Sequence, residues 1–200
     1  MEIYKTIILA IAAYLVGSIS PSYIITKKLT GKDIRNIDVK NAGTLNVFLN
    51  VGAWQGIIVG VFDCLKTLII VLAGQAWGLD AVHTIAAASF GIIGHCFPVY
   101  HNFYGGKGVA SVMGIFIYFI PLELLISIIL SVLIGFIIGK LGITPVFFIA
   151  LSPLIAALRN QPTSLVFALV YIAFLIGIIN LIIILTKRDK KTICDCQRKV

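Results

Sequence analysis

The sequence predicts an all-α integral membrane protein of about seven transmembrane helices, with the N-terminus outside and the C-terminus cytoplasmic. Three observations carry this. Of the 200 residues, 60% are hydrophobic and 12% charged, and mean hydropathy is +1.06, whereas soluble domains hold roughly 45–50% apolar residues. The apolar residues come in runs that reach the roughly 20 residues needed to cross a bilayer core. The basic residues divide unevenly between the two faces that those runs define.

The first run, Tyr4 to Ile25, lacks the basic n-region and small-residue cleavage site of a signal peptide, and Ser18 to Pro21 reads as a helix-end bend. It is retained as the first span. Gly52 to Trp77 and Ala81 to Tyr100 follow as the second and third. Val109 to Gly139 is too long for one crossing, since its 31 residues make about 46 Å of helix against a core of about 30 Å, and Pro121 with Glu123 interrupts it. Ile143 to Leu158 and Ser164 to Leu185 complete the set.

Charge decides whether the long run is one span or two. Splitting it puts thirteen Lys and Arg on one face, in the loop after the first span, at Lys107, at Lys140 and in the C-terminal tail, against Lys5 and Arg159 on the other. Leaving it whole divides them seven to eight. The positive-inside rule therefore selects seven spans and makes the basic face cytoplasmic. Glu123 then lies at an outer turn, and Trp54, Trp77, Tyr100 and Tyr104 fall near span ends as an aromatic belt. Residues 1–186 form the transmembrane domain and residues 187–200 a basic cytoplasmic tail.

Several function classes are excluded. The net charge of +8 is no nucleic-acid footprint, because the basic residues are scattered over loops and tail without stacking aromatics among them. Cys64 and Cys96 sit in apolar runs, and Cys194 and Cys196 in a cytoplasmic tail where thiols stay reduced. A lone C-x-C specifies no metal. No internal repeat supports a small transporter. No metal or cofactor is expected.

Two cytoplasmic loops carry polar groups that lipid packing does not need. The first, Leu29 to Val51, holds Gly31-Lys32-Asp33-Ile34-Arg35 and Asn41-Ala42-Gly43-Thr44-Leu45-Asn46; the second holds Gly94-His95-Cys96-Phe97-Pro98 and Tyr104-Gly105-Gly106-Lys107-Gly108. Glycines before a helix free backbone N–H groups to converge on an anion, the helix N-terminus adds partial positive charge, and Lys107 a full one. The same element also reads as a flexible loop with one snorkelling lysine. Asp63 and Lys66, three apart in the second span, share a helix face as either a site wall or a structural ion pair. His95 is placed as an acid or base near neutral pH, or as a hydrogen-bonded anchor. His83 and His101 show no partner pattern.

At these loops the sequence resembles the bacterial membrane acyltransferases that move a fatty acyl group from acyl phosphate to the 1-hydroxyl of glycerol 3-phosphate. The likeness runs over nearly the whole chain: Gly17-Ser18-Ile19-Ser20-Pro21-Ser22-Tyr23 against G-S-I-P-x-x-Y, then Gly31 to Arg35, Gly52 and Gly56, and Asp63 with Lys66 as D-x-x-K. Its most specific part is Gly94 to Pro98 with Phe103 to Ala110, against G-H-x-F-P and F-x-G-G-K-G-V-A. The resemblance implies a seven-span protein of the bacterial inner membrane, an active site at the cytoplasmic face, no metal, and acyl phosphate and glycerol 3-phosphate as substrates. It implies that Lys107, Asn41, Asn180 and His95 are catalytic, and that Gly105, Gly106, Lys107, Gly108, Gly43, Asn46 and Lys40 hold substrate phosphate. Asp63, Lys66 and Arg35 would form the site wall.

The chain departs from the family pattern at polar positions. Where the family reads G-S-G-N-x-G-A-T-N-V-x-R, this chain has Asp38 to Leu49, so that serine has become Val39, threonine Leu45 and arginine Leu49. The family's H-x-x-N-I-x-R falls on Gly177 to Ile183 and keeps only Asn180; a serine after the fifth span falls on Phe147 or Phe148. Lys40 would replace one lost charge. The alternative class is a non-catalytic membrane relative that binds phosphate-bearing lipid precursors or a protein partner.

Overall fold

The computed structural model describes the backbone of residues 1–38 and 40–197, and the side chains of residues 1–38 and 40–186. Val39 and the tail cysteines Cys194 and Cys196 lie outside the described side chains, as do the basic residues of the tail. The described chain is built of α-helices joined by short loops and 3-10 turns: α1 (Glu2–Gly17), α2 (Pro21–Thr30), α3 (Thr44–Asn50), α4 (Ala53–Ala76), α5 (Ala81–Cys96), α6 (Val109–Phe119), α7 (Pro121–Ile137), α8 (Thr144–Leu158) and α9 (Thr163–Gln197). Five stretches are long and apolar enough to cross a membrane: Glu2–Thr30, Ala53–Ala76, Ala81–His101, Leu141–Leu158 and Thr163–Thr186. The apolar helices α6 and α7 are shorter. Large side chains such as Phe136, Phe167 and Phe174 point outward, which lipid permits and water would not. The chain is a multi-pass membrane protein.

Two breaks shape the bundle. The first run bends where Ser18 and Ser20 turn the chain: Ser18 Oγ returns a hydrogen bond to Tyr14 O at 2.8 Å, and Ser20 caps α2 ahead of Pro21 at its first position. The long run breaks at Ile120, whose φ of −142° and ψ of 55° end α6, and Pro121 opens α7. Pro fits the first helical position because the missing N–H would be unpaired there anyway.

Packing follows small residues and a few buried polar ties. Gly17 of α1 lies so close to Gly91 of α5 that a Cβ on Gly17 would strike the Gly91 carbonyl, the close approach by which membrane helices gain contact. The helices α7 and α8 run antiparallel: Glu123 meets Arg159 and Gln161 at one end, and Gly135 abuts Leu141 and Thr144 at the other. Between them, Ser127 and Ser152 share a hydrogen bond of 2.6 Å. Glu123 is 1% exposed and accepts from Arg159 Nη1 at 3.1 Å and Gln161 Nε2 at 2.9 Å, as a buried carboxylate must.

Candidate active site

The first loop is braced from within. Asp33 caps a 3-10 turn by accepting the Arg35 N–H at 2.9 Å, and the Arg35 guanidinium forks back onto it, Nη2 to Oδ2 at 2.6 Å. The hydrogen bond from Arg35 holds the Asp33 carboxyl below its ordinary pKa. Arg35 Nη1 also donates to His101 O at 2.7 Å, and its guanidinium lies over the Tyr23 ring at 5.2 Å. Each guanidinium nitrogen is thus engaged, and Arg35 joins the two loops at the edge of a cavity. Asn46, 1% exposed, gathers the loop inward: its Nδ2 donates to Ile34 O, Ile37 O and Asn41 O at 2.9–3.1 Å. Asp38 and Lys40 hold left-handed φ values of 43° and 50°, at the two positions where the family pattern carries glycine.

The glycine loop is bound to the first loop and to the end of α5. Gly105 N–H donates to Cys96 O at 3.1 Å, Gly106 N–H to His95 O at 3.1 Å, and Ala42 N–H to Gly105 O at 3.2 Å. A Cβ at Gly106 would collide with the His95 ring, so glycine is required there by proximity. The amides of Gly105 and Gly106, expected to face an anion, are therefore engaged by protein. The free donors shift to the N–H groups of Lys107 and Gly108, which have no partner among the described residues, and to the first turn of α6 beyond them. Lys107 is exposed, and its carbonyl is held by Asn180 Nδ2 at 3.2 Å. Asn180 thus positions the lysine from α9.

A buried charged cluster lies beneath. Lys66 is 8% and Asp63 1% exposed, paired at 2.8 Å. Lys66 Nζ also donates to Gly17 O at 2.9 Å and Ile19 O at 3.1 Å, satisfying the last carbonyl of α1 and one in the bend that follows it. His95 Nδ1 lies 3.0 Å from Lys66 Nζ and 3.2 Å from Asp63 Oδ1. The ion pair read from i,i+3 spacing is present, and His95 is its third member. His83 and His101, for which the sequence shows no partner pattern, are half-buried: His83 Nδ1 meets Asp80 Oδ1 at 2.9 Å, and the His101 ring packs on Tyr23 at 4.5 Å. Two polar groups given no role in the site by the sequence also hold the loops, Ser22 Oγ donating to Ala42 O at 2.9 Å and the hydroxyl of Tyr104, read above as a belt residue, donating to Lys40 O at 2.6 Å. The signal for Ser22 was its place in the Ser20-Pro21-Ser22-Tyr23 run.

Two cavities meet at this site. An apolar one of about 780 Å³ runs along α3, α4 and α6 between Phe48, Val61, Leu65, Leu68, Met113 and Ile117, and reaches Gly142 and Pro145. Its rim residues Leu45, Ile57 and Val61 are exposed on the bundle's outer surface, so it opens sideways. A more polar cavity of about 510 Å³ lies among the loops, with Asp33, Asn36, Asn102 and Tyr104 on one side and Ile183 and Thr186 on the other. Asn41 and Lys107 line both. The arrangement can hold a hydrophobic tail and a polar anion on either side of one lysine.

The family model described as Glycerol-3-phosphate acyltransferase matches residues 7–194. A glycerol-3-phosphate acyltransferase of Clostridioides difficile is 34% identical over 174 residues, covering 84% of this chain and 85% of that protein. Glycerol-3-phosphate acyltransferase 2 of Bacillus anthracis is 34% identical over 190 residues, covering 94% and 95%. Among solved structures, the glycerol 3-phosphate form of PlsY (YgiH), an integral membrane glycerol 3-phosphate acyltransferase, aligns with a TM-score of 0.78 at 29% identity, over 92% of this chain and 94% of that one. Its lysophosphatidic acid form aligns with a TM-score of 0.74 at 27% identity, over 92% and 93%.

Proposed function

The chain belongs to the glycerol-3-phosphate acyltransferase family, and from that premise we propose that it transfers a fatty acyl group from acyl phosphate to glycerol 3-phosphate across the boundary marked by Asn41 and Lys107. The carrying observation is that these two residues line both cavities. The acyl chain occupies the apolar cavity and glycerol 3-phosphate the polar one, which brings the acyl carbon and the acceptor hydroxyl to the same lysine. The acceptor oxygen attacks the acyl carbon, the bond to phosphate breaks, and inorganic phosphate leaves beside lysophosphatidate. The hydroxyl proton goes to a phosphate oxygen.

The roles follow from placement. Lys107 and the N–H groups from Lys107 into α6 stabilise the phosphate and the developing oxyanion. Asn180 fixes the Lys107 backbone, and Asn41 with Gly43 orients substrate at the cavity junction. Asn46 braces the loop, Lys40 adds positive charge to it, and Arg35, Asp63 and Lys66 form the wall.

The same reading gives seven crossings in the bacterial inner membrane, with the N-terminus outside, residues 1–186 as the transmembrane domain and residues 187–200 as a cytoplasmic tail. Two placements support it. The start of α6 lies beside Asn180, late in the apolar stretch Thr163–Thr186, while the start of α7 lies beside Arg159 and Gln161, just before α9. The α7–α8 junction also lines the cavity that Lys107 lines, as it would if the chain crosses through α6 and returns through α7.

Purified protein supplied with acyl phosphate and glycerol 3-phosphate is expected to form lysophosphatidate, and Lys107→Ala to lose about 10²–10³-fold in kcat, the cost typical of removing one oxyanion donor. Turnover with acyl-CoA but not acyl phosphate would overturn the donor assignment. An unimpaired Lys107→Ala would overturn the site.

A further inference from the structure

Most polar side chains around the polar cavity are already committed to the protein. Asp33 accepts from Arg35 N and Nε at Oδ1 and from Arg35 Nη2 at Oδ2, and Arg35 Nη1 is held by His101 O. Tyr104 Oη donates to Lys40 O and Thr186 Oγ1 to Ile182 O. Three lining side chains have no hydrogen-bond partner among the described residues: the amides of Asn36 and Asn102 and the ammonium of Lys107. Asn41 keeps only its Nδ2, since its Oδ1 accepts from the Gly43 N–H. The cavity thus offers a ligand one cation and, beyond it, neutral amides.

Arg35 also sets where two of those amides stand. Asn36 follows it directly in the 3-10 turn that Asp33 caps. Asn102 follows His101, whose carbonyl accepts from Arg35 Nη1 at 2.7 Å. One hydrogen bond therefore brings residues of two distant loops to the same cavity. Asn102 holds φ 54° and ψ 38°, a left-handed conformation that asparagine tolerates better than most residues. Both residues are exposed, which puts them at the cavity's rim. An amide carries a donor and an acceptor and no charge, and so does a hydroxyl, so the two pair fully. A phosphate oxygen only accepts, and its charge favours Lys107 and the N–H groups beside it. With its 1-hydroxyl at the acyl carbon and its phosphate at the lysine, glycerol 3-phosphate has one polar group left, the 2-hydroxyl.

We propose that Asn36 and Asn102 hold the 2-hydroxyl of the acceptor and are specificity-determining residues, selecting a phosphorylated polyol over a phosphorylated simple alcohol. The inference rests on the reading of the polar cavity as the glycerol 3-phosphate site. Because the amides are exposed, the selection is modest beside that of a sealed pocket.

Two acceptors test it in the acyl phosphate assay: glycerol 3-phosphate, and 3-hydroxypropyl phosphate, which keeps the primary hydroxyl and the phosphate and lacks only the 2-hydroxyl. The unsubstituted protein is expected to favour glycerol 3-phosphate about tenfold in kcat/KM, the effect of one or two neutral hydrogen bonds. Equal use of the two acceptors overturns the inference without any variant having to fold. The double variant Asn36→Ala with Asn102→Gly, in which glycine keeps the left-handed backbone, is expected to lose that advantage by slowing about tenfold with glycerol 3-phosphate while staying within about twofold with 3-hydroxypropyl phosphate. Equal loss with both acceptors would put the amides on the phosphate or in the bracing of the loops, and an unchanged preference would put the 2-hydroxyl elsewhere; either overturns the assignment alone. If the unsubstituted protein acylates neither acceptor, or Lys107→Ala is unimpaired, the acceptor-site reading falls and takes this inference with it.

Discussion

Lys40 carries two opposed demands. Its φ of 50° costs a non-glycine residue about 1–2 kcal/mol, yet its charge stands in a loop whose family arginine has become Leu49. Lys40→Gly is therefore expected to raise thermal stability by about 1 kcal/mol while raising KM for the phosphate substrates. Measuring melting temperature and KM on the same preparation checks both signs, and a fall in KM would remove Lys40 from the site. Asp33 gives a pH prediction. Its carboxyl is held below its ordinary pKa by the Arg35 hydrogen bond, so the stability it contributes is present above the unfolded value of about 3.9 and is lost as pH falls through the lower folded value. Acid unfolding monitored below about pH 4 should start at higher pH in Arg35→Gln than in the unsubstituted protein.

At the scale of elements, the joint between α7 and the α8–α9 turn rests on Glu123, Arg159 and Gln161. Because the carboxylate is buried and the arginine half exposed, the two truncations should differ. Glu123→Gln keeps a hydrogen-bonding group and releases Arg159 to water, whereas Arg159→Ala leaves a buried charge with one partner, at a cost of about 1–3 kcal/mol. Thermal unfolding in detergent should rank Arg159→Ala as the less stable, and the reverse order would show the carboxylate to be solvated. The element pattern was largely legible in sequence because its causes are local. Pro121 breaks its helix by lacking an N–H, and Ser20 with Pro21 announces the start of α2. Asp63 with Lys66 was legible for the same reason, through helical spacing. That His95 completes the pair was not, since 29 residues separate it from Lys66 and only the packing of α5 on α4 brings them together. Gly105 and Gly106 misled in the opposite way: their motif suggested open amides, and tertiary contact with the end of α5 engages them.

For the whole molecule, the distribution of charge and hydrophobicity made a multi-pass helical protein readable before any contact was known. The cavities were not readable, because Leu45, Val61, Leu65 and Met113 are ordinary aliphatic residues whose shared surface exists only once α3, α4 and α6 assemble. The topology has a direct test. Cysteines placed at Lys32 and Lys140 are expected to label from the cytoplasmic side and one placed at Gln161 from the outside; labelling of Lys140 from the outside and of Gln161 from the cytoplasm would restore a single crossing between Val109 and Gly139.

The sideways mouth of the apolar cavity makes the bilayer itself part of the reaction volume. A substrate with a long tail arrives by lateral diffusion, so the quantity that sets encounter frequency is its mole fraction among lipids, not its amount per litre. Rate at a fixed total donor should accordingly fall when inert lipid is added. Because the rim is open, the acyl tail need not fit wholly within the cavity, so donors differing by a few methylenes should be used at similar rates, and the finished lysophosphatidate can slip into the leaflet without its tail ever meeting water.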